Sequence, residues 1–225
     1  MLRSAMSERY EVPPERLGRW LERWADAHAG IAGVEPHGPG LLLAGNDGAT
    51  LRAEAPFPPL AVPTVDGLIA HVARERLVGV LLVRLGAHAV GVFEGRRLVA
   101  SKVARRQVHG RNRKGGSSSG RFARRRENQA DASLQAAADV AARILLPEVA
   151  SLDAVVLGGD RRALTQMLEE TRLAPLRALA AERVIDVPEP RLDILRAAPD
   201  RFLATVLVLA DPVGPGGPEG PDPAA

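Results

Sequence analysis

Residues 77–103 read LVGVLLVRLGAHAVGVFEGRRLVASKV, and this stretch decides the fold. Residues 77–83 are an almost unbroken apolar run, the pattern of a strand buried on both faces. Residues 87–93 form a second strand. Glu94, Gly95, Arg96 and Arg97 turn the chain, and residues 98–103 return as a third. Three consecutive strands with short connections make an antiparallel meander. Residues 105–109 prolong the last strand. There Arg106 and Val108 alternate with Gln107 and His109, so one side of the strand is basic and exposed.

The meander runs straight into residues 102–126, KVARRQVHGRNRKGGSSSGRFARRR. This strip carries ten of the chain's 30 Lys and Arg and none of its 27 Asp and Glu. The remainder therefore holds 20 basic residues against all 27 acidic ones, so an overall charge of +3 hides a body of −7. At the strip's centre, Gly115-Gly116-Ser117-Ser118-Ser119-Gly120 is too flexible to be a helix or a strand by itself. A small-residue tip flanked by arginines suits contact with a polyanion, and RNA is the expected one. The RNA-binding candidates are Arg106, His109, Arg111, Arg113, Lys114, Arg121, Arg124, Arg125 and Arg126. The bland reading is a solvated surface loop, which a run of ten cations without one acid disfavours.

Downstream of the strip, residues 121–146 read as one long helix. Phe122, Ala130, Leu134, Ala137, Ala138, Ala141, Ile144 and Leu145 form its apolar face, and Pro147 ends it. Arg121, Arg124 and Arg125 cluster at its first turns. Cations there oppose the helix dipole by about 0.3–1 kcal/mol each, a local misfit that argues for a ligand of opposite sign. Residues 153–157 read as a buried strand leading through Gly158-Gly159-Asp160 into a helix over 161–169. A glycine pair in that place can bind phosphate. No GxxxxGK[ST] occurs anywhere in the chain, so a plain tight turn is expected. A short helix over 173–181, a strand over 183–187, a helix over 190–197 and a strand over 202–209 follow.

Upstream, residues 1–12 read as a frayed leader, and Pro13-Pro14 stand where a helix begins. Leu17, Trp20, Leu21 and Trp24 make a helical stripe. The tryptophans on it are expected to pack the helix onto a sheet rather than stack on bases. Residues 40–55 read as a hairpin about Gly45-Asn46-Asp47-Gly48. A proline-rich link precedes a helix over 64–76, where His71 sits beside the apolar face as a structural group. Residues 211–225, DPVGPGGPEGPDPAA, read as a disordered tail.

The chain's 225 residues and 46% hydrophobic content suffice for a real core, but aromatics are only 3%, so Leu, Val, Ile and Ala must build it. The absence of cysteine excludes disulfides and thiolate metal sites. The histidines have no HxxxH or HxH spacing, so no metal and no cofactor are expected. No apolar run reaches a membrane span and the first ten residues lack an export core, which points to a cytoplasmic protein. The element order predicts an α/β (α+β) fold, a mixed sheet with helices on its faces. One domain is expected over 13–210, with 13–63 an N-terminal extension.

Conventional hydrolase machinery is hard to assemble from this chain. Gly116-Ser117-Ser118-Ser119-Gly120 nearly meets GxSxG, but no histidine follows His109, so the usual triad order is not available. No paired carboxylates lie near the tip. Positioning chemistry remains. Gly115, Gly116, Ser117, Ser118 and Ser119 are the catalytic candidates, through backbone N–H groups and small hydroxyls that orient a water or stabilise an oxyanion.

The segment RQVHGR (106–111), the Gly-Gly loop and the run RFARRRENQA (121–130) resemble the actinobacterial Vms-like release factors, within the superfamily of eukaryotic and archaeal class-1 peptide-chain release factors. The meander and VVLGGD (155–160) fit that family's catalytic domain, and the resemblance spans about residues 15–210. It implies an RNase-H-like domain that enters the peptidyl-transferase centre of the large ribosomal subunit. It implies hydrolysis of the ester between peptide and tRNA during ribosome quality control, with rRNA and peptidyl-tRNA as partners. In that family a glutamine in or just after the glycine loop places the attacking water. Here Ser118, Ser119 and Gly120 stand there, and the nearest glutamines are Gln107 and Gln129. Either Ser118 or Ser119 substitutes, or backbone N–H groups and the tRNA 2′-hydroxyl suffice, or the protein binds ribosome and tRNA without hydrolysis.

Overall fold

Branched apolar residues in alternation favour strands, and apolar stripes three and four apart favour helices that cover them. Both patterns recur along the chain, and they produce two sheets, each with its own core. The computed structural model describes residues 8–84, 86–105 and 119–210, with the backbone course alone for 119–128 and 210. The chain divides into two compact units, residues 1–74 with 203–225, and residues 75–202. The expected span 13–210 is thus distributed over both.

The first unit is a five-stranded antiparallel sheet with two helices. Its elements are β1 (Glu8–Val12), α1 (Pro14–Ala27), β2 (Ile31–His37), β3 (Gly40–Gly45), β4 (Thr50–Glu54), α2 (Val65–Ala73) and, from the far end of the chain, β9 (Thr205–Ala210). The strand order is β1-β9-β4-β3-β2. Helix α1 begins at the double proline, with Pro13 as N-cap and Pro14 in the first turn. It buries Leu17, Leu21 and Trp24 against Leu41, Leu43, Leu51, Ala53 and Leu207. Each fully buried Leu contributes about 1.5–3 kcal/mol relative to exposure. Trp20 packs beside this core, and its ring lies 5.9 Å from that of Tyr10. Both tryptophans therefore serve packing, as the stripe predicts. His71 bonds through Nε2 to the Pro56 carbonyl at 2.9 Å, also as expected.

Three features of this unit depart from the sequence reading. The leader expected over 1–12 holds strand β1, which pairs antiparallel with β9 in the register Tyr10↔Leu207. That partner lies almost 200 residues away, so no local pattern announces it. Strand β2 escapes notice because all seven of its residues are exposed and it contains Pro36. Proline is tolerated there because β2 is an edge strand. The last strand, expected over 202–209, joins this sheet between β1 and β4.

The second unit holds β5 (Leu77–Arg84), β6 (Ala87–Glu94), β7 (Arg97–Arg105), α3 (Ser119–Leu145), β8 (Ala154–Gly159), α4 (Arg161–Leu168), α5 (Ala174–Ala178), α6 (Leu192–Ala197) and α7 (Pro199–Phe202). Its sheet order is β7-β6-β5-β8. Strands β5–β7 are the expected meander, and β8 lies parallel to β5 in the register Leu81↔Leu157. The sheet is mixed and its apolar residues pack helices, so the α+β class stands. Leu81, Val83, Val90 and Val92 pack with Ala137, Ala138, Ala141 and Leu145 of α3 and with Leu164, Met167 and Leu168 of α4. Small alanines let α3 approach the strands closely. Phe93 is fully buried and meets Phe202 edge-on at 5.7 Å between ring centres. The strand expected over 183–187 reduces to one isolated bridge, Gly158↔Ile185, with a second, Val155↔Ala180, just before it. Two prolines, Pro188 and Pro190, close behind Ile185 deny the segment a longer ladder.

Candidate nucleic-acid interface

The topology of the second unit brings the ends of the cationic strip together. Strand β6 is antiparallel to both β5 and β7, and β8 is parallel to β5. Strands β5, β7 and β8 therefore share one direction. Helix α3 carries the chain from the end of β7 back to the start of β8, so it runs against those strands. Its first residue, Ser119, lies at the same end of the sheet as Arg105, where β7 stops. In open sheets this end, beyond the carboxyl termini of parallel strands, is where ligands bind.

Residues 106–118 connect Arg105 to Ser119 in the sequence. Arg106, His109, Arg111, Arg113, Lys114, Gly115, Gly116, Ser117 and Ser118 all lie outside the described residues. Ser119 opens α3, and Arg121, Arg124, Arg125 and Arg126 follow within its first turns. For these five only the helical backbone is described. The first turn contains no acid. What holds that helix is its later part, anchored by Ala137, Ala138, Ala141 and Leu145 in the core.

Two of the strip's cations are described in full. Lys102 is exposed on β7 and makes no ion pair among the described residues. Arg105 pairs with Glu189, Nε to Oε1 at 2.9 Å, and keeps 69% of its side chain exposed. A pair this wet contributes little to stability.

His88 was not singled out from the sequence. It lies on β6 opposite Ala104 of β7 and Val83 of β5, one rung from Arg105, where β7 ends. It is 4% exposed, and neither ring nitrogen has a hydrogen-bond partner. Its position is on the α3 side of the sheet, the side of Val90 and Val92. Burial holds its pKa below the ordinary value. The unfolded chain then binds the proton more readily, so stability is complete above about pH 6.5 and declines as the pH falls below it. Thermal melts between pH 5 and 8 will show this decline, and His88→Leu will remove the part due to this residue; an unchanged acid limb refutes the assignment. An isolated histidine in an apolar strand is the only sequence signal for it.

The Gly158-Gly159-Asp160 turn at the end of β8 is built for closeness, not for phosphate. Gly159 has φ +100°, and a Cβ there would stand 2.2 Å from the Val83 carbonyl oxygen. Asp160 caps α4: its Oδ1 accepts from the Arg162 and Ala163 N–H groups at 2.9 and 3.1 Å. The donors that would hold a phosphate at the start of α4 are thus already occupied. Among the described residues, no cluster of three His, Cys, Asp or Glu has a metal-binding arrangement. No helix among them is long and apolar enough to cross a membrane.

Comparison with known proteins gives one family. Residues 76–208 match the family described as the Actinobacteria/chloroflexi VLRF1 release factor, more than half of the chain. No curated protein sequence matches it. Among solved structures, the chain is similar to the archaeal translation termination factor aRF1, with 16% identity and a TM-score of 0.44, over 85% of this chain and 62% of that one. A second, titled as an archaeal protein, has 16% identity and a TM-score of 0.39, over 87% of this chain and 64% of that one. The chain thus spans less than two thirds of each of these structures.

Proposed function

The chain belongs to the Actinobacteria/chloroflexi VLRF1 release factor family, and from that premise we propose that it is a ribosome-associated peptidyl-tRNA hydrolase. The observation that supports this reading is where the elements flanking the strip's centre end: β7 stops at Arg105 and α3 starts at Ser119, both at the carboxyl end of the parallel strands and inside the span that matches the family. Arginines on both sides of Gly115-Gly116 would hold RNA phosphates and bring the ester to the glycine tip. The reaction is hydrolysis. Water attacks the ester carbonyl of the peptide, the bond from carbonyl carbon to ribose oxygen breaks, and peptide acid and free tRNA result. No cofactor is required. Gly115, Gly116, Ser117, Ser118 and Ser119 would supply N–H groups and hydroxyls to the attacking water and the developing oxyanion.

A second reading has its own support. No glutamine occurs between Lys114 and Arg121, where the family resemblance leads one to expect it. The same fold would then serve as a ribosome- and tRNA-binding module without hydrolysis. Incubation of the purified protein with stalled large subunits carrying peptidyl-tRNA separates the two: release of peptide supports the enzyme, and binding without release supports the module. In either case RNA binding should weaken steeply with salt. Substituting Arg124, Arg125 and Arg126 by Gln should flatten a plot of log affinity against log salt by roughly 2–3, since each phosphate no longer neutralised lowers the slope by ~0.7–0.9. An unaltered slope would remove the strip as the RNA face.

A further inference from the structure

We infer that the RNA-binding surface is not confined to the strip: Arg161 and Arg162, at the start of α4, form a second cationic contact for the same RNA backbone. This rests on the RNA-binding reading above and extends it to residues that no motif connects with the strip.

Helix α4 leaves the end of β8, as α3 leaves the end of β7, and β7 and β8 share one direction. The two helices therefore run parallel, with both N-termini at the same end of the sheet. They are neighbours in one core, which Ala137 and Ala141 of α3 share with Leu164, Met167 and Leu168 of α4. Their relative height is set by a side-chain contact, Gln166 to Asp131 at 3.4 Å. Farther along, Arg172 donates to Asp139 at 2.6 Å. Counting back the same number of residues along both helices from Gln166 and Asp131 puts Arg161 level with Arg126. Packed helix axes lie about 8–10 Å apart. The start of α4 thus stands beside the second turn of α3, where Arg124, Arg125 and Arg126 lie in sequence.

Both arginines are exposed, and neither makes an ion pair among the described residues. The first turn of α4 contains no acid. Asp160 precedes it, but its Oδ1 is turned onto the backbone N–H groups of Arg162 and Ala163. Arg84, at the end of β5, adds a third exposed cation to this end; its guanidinium donates to the neutral Val187 carbonyl at 2.9 Å. The acids on the bridging segment beside β8 are Glu182 and Asp186, both exposed and not paired to Arg161 or Arg162. Two exposed guanidiniums at the N-terminus of α4, without an ion pair among the described residues, oppose that helix's dipole. A bound polyanion offsets that unfavourable term. The binding is sequence-independent, to phosphate oxygens and not to bases.

The test uses the full chain with purified large ribosomal subunits and, separately, deacylated tRNA, with affinity measured from low to moderate potassium chloride. Arg161→Gln with Arg162→Gln is expected to flatten the log–log salt dependence by roughly 1.4–1.8, the equivalent of two phosphates. Arg161→Lys with Arg162→Lys is expected to restore most of the slope, which a mere packing role would not do. Melting of the Gln variant should match that of the unsubstituted protein, since both side chains are solvated. If the Gln variant at 161 and 162 keeps the full slope while the variant at 124–126 has a flatter one, the second contact is overturned and the RNA-binding reading stands. If neither variant changes the slope, the RNA reading fails and this inference with it.

Discussion

On the proposed function, Gly115→Val combined with Gly116→Val is expected to abolish peptide release, by at least about 10²-fold, while RNA affinity stays within about twofold. Removal of a single preorganised N–H donor costs roughly 10²–10³ in rate, and two valines change the backbone course of the tip as well as its width. Glycine reaches φ values closed to valine, and a narrow active centre admits a tip without side chains where it would exclude branched ones. No charge is changed, so the phosphate contacts and their salt dependence are untouched. The measurement pairs single-turnover release with equilibrium binding to the same stalled subunits. Release that continues at the original rate would show that the glycine pair is not where the ester is cleaved. Loss of binding together with release would show instead that the tip belongs to the docking surface.

Gly159→Ala is the second large effect, and it bears on the fold beneath the site. The new methyl would enter at φ +100° and stand 2.2 Å from the Val83 carbonyl oxygen. That oxygen also accepts the Asp160 N–H at 2.8 Å, so relief requires the turn to move and the bond to break. The left-handed conformation alone costs about 1–2 kcal/mol for a residue with a Cβ, and breaking the buried bond about 1 kcal/mol or more. A destabilisation on the order of 3 kcal/mol is expected from chemical denaturation. Because α4 starts at this turn, the same variant should also disturb the placement of Arg161 and Arg162. Stability within about 0.5 kcal/mol of the parent would mean that the turn relaxes around a methyl group at little cost.

The meander was legible because its strands are short apolar runs bounded by turn residues, and each strand's partner is the next segment along the chain. Gly45-Asn46-Asp47-Gly48 was legible for the same reason: a two-strand unit with its turn chemistry in place. The long helix announced itself through alanines and leucines three and four apart, and its observed span, Ser119–Leu145, differs by only a residue or two from expectation. Strand β1 was not legible, since Glu8, Tyr10 and Val12 gain their meaning from Leu209, Leu207 and Thr205. Nor was β2, an edge strand whose residues are solvated on both sides and leave no apolar signature. His88 looks like any strand histidine until the strands on either side and α3 close over it.

The candidate site divides along the same line. Its charge is a property of composition along the chain: ten cations without an acid are adjacent covalently and need no fold to be concentrated. Gly115 and Gly116 belong with them, since the want of a side chain is local. Which other cations stand with the strip is a matter of helix direction. Arg161 and Arg162 follow the strip by more than thirty residues, and only the common direction of β7 and β8, with a helix leaving each, sets them beside it. Sequence alone determined the charged segment and the elements that flank it, because both arise from neighbours on the chain. The tertiary structure alone decided the split into two sheets, the burial of His88 and the placing of the start of α4 beside the second turn of α3, because each depends on contacts between residues far apart along the backbone.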